Sequence, residues 1–309
     1  MSPWMYFLAG LACAAAGGDL FERGLVGLAK WLRVPAGIIG ATVAAFATSS
    51  PELSVSITSA LAGTPEIALG DALGSNVVNI GLVLGIVTMF GAIAAPRHSI
   101  RRDFPVALLA PVLTLVLAMD GTLSRLDGGI LLCAFAVWLF WTLRYAKGER
   151  DKTAEVIGEV GRGRIVVSTV IGFVTLVFAG RLIVIGAESL GRQMGLETFV
   201  IGATMVAVGT SIPELTTAII SRLRKRGEVG LGTLVGSNIF NGLFIVGIAA
   251  AIHPIRVGSF AEPLGLVVGF ALVVVAWPWR KDQVARWQGA VLLAGYAAYV
   301  ITVLAVPRT

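Results

Sequence analysis

The sequence predicts an all-α polytopic membrane protein with ten transmembrane helices, arranged as two inverted five-helix repeats. Three observations predict this fold: an apolar composition, a series of apolar segments of spanning length, and an internal repeat at a fixed offset. Of the 309 residues, 56% are hydrophobic and only 14% are charged. Because about 25% of the residues of a typical soluble domain are charged, this composition excludes a water-soluble globule. The same apolar content excludes a disordered chain.

Ten apolar segments can be recognised along the chain. A helix that crosses the hydrocarbon core needs about 20 residues. We predict spans near 3–18, 36–61, 67–93, 104–119, 126–143, 165–190, 197–221, 229–252, 260–277 and 287–306. The long polar stretch 144–164 separates the fifth span from the sixth, and we predict a cytoplasmic connector there. It divides the chain into a first five-helix repeat, 1–143, and a second one, 165–309.

The basic residues are distributed unevenly between alternate loops. The loops after spans 1, 3, 5, 7 and 9 carry 19 of the 24 Lys and Arg residues, and the opposite side carries five. Since cytoplasmic loops are enriched in Lys and Arg, this asymmetry predicts that both termini face outside. It also accounts for the net charge of +6 without a nucleic-acid partner.

The two halves of the chain repeat each other. Residues 39–85 and 201–247 align without a gap at an offset of 162, and 21 of the 47 aligned positions are identical. Because each half has an odd number of spans, the second half enters the membrane from the opposite side. Inverted repeats are typical of secondary transporters, whose substrate site lies near the midplane where discontinuous helices meet. The sequence contains no GxxxxGK[ST] motif for ATP, which agrees with a secondary transporter.

Each repeat places one glutamate inside an apolar span, Glu52 in the first and Glu214 in the second. A carboxylate at that depth costs about 2.5–3.5 kcal/mol on insertion scales. We therefore expect the two glutamates to face each other inside the protein. Pro51 and Pro213 directly precede them, and because proline lacks a backbone N–H, we expect each helix to break there and release backbone carbonyls.

Further oxygen-bearing side chains surround the two glutamates in the sequence. A Thr-Ser pair precedes each proline, and a GSN motif follows in the next span, where Ser75 and Asn79 share a helix face, as do Ser237 and Asn241. We expect Asn76 and Asn238 of these motifs to connect helices rather than to bind an ion. A set of oxygen ligands without His or Cys suits Ca²⁺ or Na⁺ rather than zinc or copper.

The segments GATVAAFATSSPEL and GATMVAVGTSIPEL, with GSNVVN and GSNIFN, resemble the two α-repeats of the sodium/calcium exchanger family, within the cation/Ca²⁺ exchanger superfamily. A prokaryotic-type member is indicated. The resemblance implies a Ca²⁺ site formed by Glu52 and Glu214 with oxygens of Thr48 and Thr210. It implies flanking, overlapping Na⁺ sites that use Ser49, Ser211, Ser75, Ser237, Asn79, Asn241 and the carbonyls of Ala45 and Ala207.

The resemblance also implies a mechanism, in which spans 1 and 6 slide across a core of the other eight to alternate access. Potassium-dependent members usually carry Asp at the end of a GSN motif. The neutral Asn79 and Asn241 therefore argue against K⁺ dependence. Na⁺ and Ca²⁺ would bind as transported substrates, so we expect no cofactor. The expected partners are these ions and the lipid bilayer, with no nucleic acid and no obligatory protein partner.

Three alternative functions remain open at this point. An exchanger of H⁺ for Ca²⁺, or for another divalent cation, would use the same two glutamates, although TSSPE and TSIPE favour sodium. A cation channel is disfavoured by broken helices in an inverted repeat. An intramembrane enzyme would need a catalytic set that the sequence does not show, so we expect no enzymatic activity. The small size favours a prokaryotic inner or plasma membrane.

Overall fold

The computed structural model describes residues 3–32, 34–150, 162–193, 200, 202–258 and 260–305. These residues form helices and two short β-ribbons. The helices are α1 (Pro3–Leu32), α2 (Ala36–Ile39, a π-turn at Gly40–Ala44, and Ala45–Thr48), α3 (Ser50–Leu61), α4 (Pro65–Met89), α5 (Arg97–Leu117), α6 (Arg125–Arg150), α7 (Arg162–Gln193), α8 (Gly202–Thr210), α9 (Ile212–Leu223), α10 (Gly227–Ile252), α11 (Ala261–Ala276) and α12 (Arg286–Leu304). The strands are β1 (Ile93–Ala94), β2 (Thr122–Leu123), β3 (Ile255–Arg256) and β4 (Gln283–Val284).

The second and the seventh predicted span each consist of two helices. Helices α2 and α3 meet at Ser49, and helices α8 and α9 meet at Ser211, with a bend of 47° between α8 and α9. Each proline lies in the first turn of the following helix, where its missing N–H removes no intrahelical hydrogen bond. The breaks that the sequence predicts are therefore present in both repeats.

The helices have the apolar length of a multi-pass membrane protein. Among the described residues, α4, α6, α10 and α12 are each long and apolar enough to cross a bilayer. Two bent pairs are also long and apolar enough to cross a bilayer when each pair is taken as one span. They are Asp19–Leu32 with Gly37–Thr48, and α8 with α9. The number of ten spans thus stays a prediction, while the helical membrane fold is established.

Some helices extend beyond their predicted bounds. Helix α1 continues to Leu32 instead of ending near residue 18, and α6 continues to Arg150. The second half of α1 contains charges that suggest a loop, but it packs against α7, where the rings of Phe21 and Phe173 are 6.4 Å apart. Asp19 and Arg23, one helical turn apart, form an ion pair of 2.7 Å. Residues 151–161 of the predicted connector, the predicted start of span 7 at 197–199 and the predicted end of span 10 at 306 lie outside the described residues.

Helices α4 and α10 occupy the centre of the molecule. Buried positions make up 83% of the most apolar part of α4 and 78% of that of α10, against 28% for both α6 and α12. Each central helix packs against the broken helix of the other repeat. A Cβ atom on Gly74 would lie 2.6 Å from Cα of Ala203, and one on Gly236 would lie 2.7 Å from Cα of Ala41. The two repeats therefore interlock through contacts that are equivalent at the 162-residue offset.

The β-ribbons connect loops at the two ends of the molecule. Strand β1 pairs with β4, so the loops after predicted spans 3 and 9 meet, and Arg97 bonds Asp282 there at 3.0 Å. Strand β2 pairs with β3, so the loops after spans 4 and 8 meet. Arg222, after span 7, donates to the carbonyl of Phe90 at 3.3 Å. Loops after odd-numbered spans thus contact each other, and loops after even-numbered spans contact each other. This agrees with the predicted alternation of the spans, which puts the two kinds of loop on opposite sides of the membrane.

Candidate ion-binding site

The two broken helices place both glutamates in the interior of the molecule. Glu52 lies in the first turn of α3 and Glu214 in the first turn of α9. The N-terminus of a helix carries partial positive charge and stabilises a nearby carboxylate. Both side chains have 0% exposure, and Ser49, three residues before Glu52, donates a hydrogen bond to Glu214. Both glutamates therefore lie inside the protein, and their facing each other stays a prediction.

Glu214 is held by hydroxyl groups of both repeats. The Oγ atoms of Ser49 and Ser237 each donate to its Oε1 atom at 3.1 Å. Ser237 Oγ also lies 3.4 Å from Oγ1 of Thr48. Within the described residues, Oε2 of Glu214 has no hydrogen-bond partner. One oxygen of this carboxylate is therefore fixed, and the other one is open.

The contacts around Glu52 differ from those around Glu214. Neither of its carboxylate oxygens has a hydrogen-bond partner among the described residues. Thr210, the equivalent of Thr48, contacts Oγ of Ser75 at 3.3 Å and donates to Oδ1 of Asp71 at 3.1 Å. Asp71 is fully buried and belongs to α4 of the first repeat, so this bond crosses between the repeats. The site is therefore asymmetric, although the sequences that build it are repeated.

Three more of the predicted ligands are buried without a hydrogen bond. Asn79 and Asn241 have unpaired amide nitrogen and oxygen atoms, and Ser211 has an unpaired Oγ, within the part of the chain that is described. Both asparagines lie in π-helical turns, Val78–Leu84 and Phe240–Ile245, which recur at functional sites of helical proteins. An unpaired buried polar group costs about 1–3 kcal/mol, so this region is satisfied only by a ligand or by water.

The two predicted carbonyl ligands take part in helical hydrogen bonds. The carbonyl of Ala45 accepts the backbone N–H of Ser49 at 3.0 Å, and that of Ala207 accepts the N–H of Ser211 at 3.1 Å. Each carbonyl also accepts a threonine hydroxyl of its own helix, that of Thr48 at 3.4 Å for Ala45 and that of Thr210 at 3.3 Å for Ala207. Ala45 and Ala207 are both buried. The helix breaks therefore leave these two carbonyls hydrogen-bonded within their helices.

The donor set determines which ions the site can take. Among the described residues, no three His, Cys, Asp or Glu side chains lie close enough together to form a metal site by themselves. An ion held by the glutamates would also need hydroxyl, amide and carbonyl oxygens. Ca²⁺ accepts six to eight such oxygens in adaptable geometry. A soft transition metal would find neither a thiolate nor an imidazole ligand in the described motifs.

Asp71 is a buried acidic residue that the repeat pattern does not predict. It lies four residues before Ser75 in α4, but the equivalent position in α10 is Thr233, so the repeat comparison gave no signal there. The available signal was a single acidic residue inside an apolar span, which is a functional-site candidate wherever it occurs.

The predicted role of Asn76 and Asn238 as connecting residues agrees with two hydrogen bonds of 3.2 Å between them.

An inverted pair of repeats that brings broken helices and buried oxygens together defines a secondary transporter of hard cations. The sequence profile described as "Sodium/calcium exchanger protein" matches residues 2–144 and 164–305. The chain therefore belongs to the sodium/calcium exchanger family, as its motifs predict. It is an integral, multi-pass membrane protein of a transporter family.

Several relatives match nearly the whole chain. The putative antiporter CaxA of Alkalimonas amylolytica is 30% identical and covers 96% of both chains. The sodium/calcium exchanger MaX1 of Methanosarcina acetivorans is 27% identical over 96% of this chain and 97% of its own. The solved structure of the sodium-calcium exchanger NCX_Mj, soaked with 100 mM Na⁺ and 10 mM Sr²⁺, is 30% identical and covers 99% of both chains with a TM-score of 0.83.

Proposed function

We propose that this protein exchanges Na⁺ for Ca²⁺ by alternating access, and that Glu52 and Glu214 are the anionic ligands of one shared site. One observation carries the proposal. Two fully buried carboxylates lie at the starts of repeat-related helices, and three of their four oxygens are unpaired among the described residues. Burying such groups without compensation is costly, so a cation is the natural partner of both carboxylates.

Shared ligands explain why the two ions would exchange rather than travel together. One Ca²⁺ neutralises two carboxylates, and so do two Na⁺ ions. Both kinds of ion need the same oxygens of Glu52 and Glu214, so binding of one kind excludes the other. A neutralised site crosses the apolar barrier between the two access states at far lower cost than a charged one. Exchange then follows without ATP, and no cofactor or enzymatic step is needed.

Helices α1 and α7 are suited to the sliding motion that the family resemblance implies. They contact each other closely, because Gly24 of α1 lies against Thr169 of α7. They meet the broken helices through two small apolar clusters that are separate from the main core, formed by Phe21, Leu25, Ile39, Ala44, Ala47 and Leu176, and by Ala179 and Ile212. Besides these apolar contacts, an ion pair between Asp19 of α1 and Arg224, which follows α9, joins α1 to the core, and the movement would have to break it.

The known relatives support sodium as the coupling ion. MaX1 and NCX_Mj are both called sodium/calcium exchangers, and both match nearly the full length of this chain. Proton coupling, the closest alternative, is therefore not favoured. Potassium dependence is also not part of the proposal, because both asparagines that end the motifs are neutral.

The basic end of the molecule would face the cytoplasm. Arg97, Arg222 and Arg280 belong to loops after odd-numbered spans, and the β1–β4 ribbon and the Arg222 bond lie among these loops. Under the positive-inside rule, this arrangement puts both termini outside a prokaryotic inner or plasma membrane. Scanning with a membrane-impermeant thiol reagent on introduced surface cysteines would test this orientation.

The coupling ion can be tested with purified protein in proteoliposomes. Vesicles are loaded with Na⁺ and diluted into Na⁺-free buffer that contains radioactive Ca²⁺, with pH clamped and K⁺ varied. The proposal predicts uptake that needs internal Na⁺ and is independent of K⁺. Uptake that ignores Na⁺ but follows an imposed pH gradient would replace it with H⁺/Ca²⁺ exchange. Passive flux without a counter-ion would identify a channel.

A further inference from the structure

A long apolar groove runs between helices α5 and α6 on the surface of the helix bundle. It has a volume of about 560 Å³, and its walls include Leu109 and Leu113 of α5, Val137 of α6 and Leu243 of α10. From Arg101 to Leu113 it follows α5 for about 18 Å. The hydrocarbon core of a bilayer is about 30 Å thick, so the groove has roughly the length of one leaflet.

Basic side chains lie at one end of this groove. Arg101 and Arg102 belong to its lining, and both also line a neighbouring cavity of about 250 Å³ together with Arg97, His98 and Tyr145. An apolar groove thus continues at one end into a cavity that is surrounded by basic residues. This combination matches an amphipathic ligand with an anionic head and an apolar tail.

Arg102 is held in place by contacts that join the two helices. Its Nε and Nη2 atoms donate to the two carboxylate oxygens of Asp103 at 2.7 and 2.9 Å. Trp138 of α6 donates to the same carboxylate at 3.1 Å. The guanidinium of Arg102 also lies 5.5 Å from the ring centre of Tyr145, within the range of a cation–π contact. The basic end of the groove is therefore already ordered by the protein itself.

Positive charge exceeds negative charge at this end of the groove. The ion pairs of Arg97 and Arg102 with aspartates balance two of the arginines. Arg101, Arg144 and Lys147 are exposed and form no ion pair with any residue that the structure describes. Arg144 and Lys147 lie close to Tyr145 in α6, and basic pockets between membrane helices are typical binding sites of anionic lipid head groups.

We infer that this groove binds one anionic phospholipid, with the phosphate at Arg101 and an acyl chain along Leu109 and Leu113. Arginine suits the phosphate because it offers several donors in a planar arrangement. The chain would contact Leu243, which lies two residues after Asn241 in the same π-helical turn. The bound lipid therefore packs against the turn that carries a predicted ion ligand. This site does not depend on which ion drives the exchange.

Retention of lipid by the purified protein tests the inference. The protein is placed in nanodiscs with equal amounts of phosphatidylglycerol and phosphatidylcholine, and the lipid that stays bound is counted by native mass spectrometry. We expect one phosphatidylglycerol to be retained in preference. Each Lys or Arg near the lipid contributes about fivefold, so Arg101→Gln and Arg144→Gln should each weaken retention about fivefold and the double variant about twenty-five-fold. Arg164→Gln is the matched control, because Arg164 is exposed on α7 and lies outside the groove lining.

Leu109→Trp tests the apolar part of the site without a change of charge. Leu109 is 59% exposed, so the larger side chain would fill the groove, and we expect the retained phosphatidylglycerol to be lost. Val116→Trp is its control, since Val116 is 55% exposed on the same helix but does not line the groove.

Three results would overturn the inference. They are equal retention of the two lipids, wild-type retention in the double arginine variant, and wild-type retention in Leu109→Trp. A melting temperature that rises as much with inorganic phosphate as with phosphatidylglycerol would also overturn it, because the basic end would then bind a free anion without a lipid chain.

Discussion

Asn76 and Asn238 exchange hydrogen bonds across the centre of the molecule. The side-chain Nδ2 of each donates to the backbone carbonyl of the other, in both cases at 3.2 Å. The two residues are equivalent in the repeats, so the bonds lie about the pseudo-two-fold axis that relates the two halves. They connect α4 to α10 between the two groups of candidate ion ligands. They therefore hold these two groups at a fixed distance from each other.

Replacing either of these asparagines should weaken the whole molecule. Asn76→Ala removes one buried hydrogen bond between α4 and α10, which is worth about 0.5–1.5 kcal/mol. We expect a clear loss of thermal stability in detergent, measured by tryptophan fluorescence, and a similar loss in Asn238→Ala. A variant with unchanged stability but no transport would instead assign these residues to ion binding.

The hydroxyl donors of Glu214 should influence ion affinity. Ser49→Ala and Ser237→Ala each remove one donor to the same carboxylate oxygen. Hydrogen bonds to charged groups are worth about 1.5–3 kcal/mol, so we expect the half-saturating Ca²⁺ concentration to rise about tenfold in each variant. The double variant should lose less than the sum of both effects, because the two donors share one acceptor.

Ser50→Ala provides the control for this experiment. Ser50 directly follows Ser49, but its hydroxyl donates to the carbonyl of Phe46 at 3.0 Å, within the half-exposed part of the helix. The half-saturating Ca²⁺ concentration should therefore remain that of wild type. Equal effects of Ser49→Ala and Ser50→Ala in radioactive Ca²⁺ uptake would show that the contact with Glu214 has no special importance.

The close packing of the two repeats should not tolerate a side chain at Gly74 or Gly236. In Gly74→Ala the new Cβ would lie 2.6 Å from Cα of Ala203, so the backbones must separate. Overpacking of this kind costs about 1–3 kcal/mol. We expect a lower melting temperature and reduced uptake for both variants. Retention of wild-type stability by both would contradict the close approach of α4 to α8 and of α10 to α2.

Gly129→Ala is the matched control for these packing variants. Among the described residues beyond its own helical turn, no atom lies within 4 Å of the position of a Cβ at Gly129, which belongs to α6. Replacing an interior helical glycine with alanine should stabilise the helix by about 0.5–1 kcal/mol. The melting temperature should therefore rise in Gly129→Ala and fall in Gly74→Ala.

Removing either central charge should abolish exchange. Glu52→Gln and Glu214→Gln keep the shape of the side chain but leave only one of the two carboxylates for Ca²⁺. We expect Na⁺-driven Ca²⁺ uptake to fall at least about a hundredfold, as when one partner of a buried charge pair is removed. Size-exclusion chromatography would show that the variants assemble normally. Exchange at the wild-type rate in either variant would remove that glutamate from the site.

The repeated part of the sequence predicts the candidate site because two copies of each signal reinforce one another. Glu52 and Glu214, the breaks beside Pro51 and Pro213, and the burial of all the candidate ligands follow from residue types that are expensive inside a membrane. Features without a second copy were missed. Asp71 is the main example, because the comparison of the repeats gives it only Thr233 as a counterpart.

Contacts between the halves could not be predicted from one sequence. The bond from Ser49 to Glu214 joins residues 165 positions apart, and it exists because the break between α2 and α3 lies against α9 of the other repeat. The length of α1 likewise depends on packing. The charges in its second half suggest a loop, but contacts with α7 stabilise a helix that ends at Leu32. Tertiary contacts override local propensity at both places.

Competition between the two ions at one site is the central claim, and a direct binding measurement tests it best. Calorimetric titration of the purified protein with Ca²⁺ at increasing Na⁺ concentrations would give the apparent dissociation constant for Ca²⁺. We predict that this constant rises steadily with Na⁺ while the number of sites stays the same, and that the binding heat disappears in Glu52→Gln. A dissociation constant that does not change with Na⁺ would show that the ions occupy separate sites, and would contradict the account.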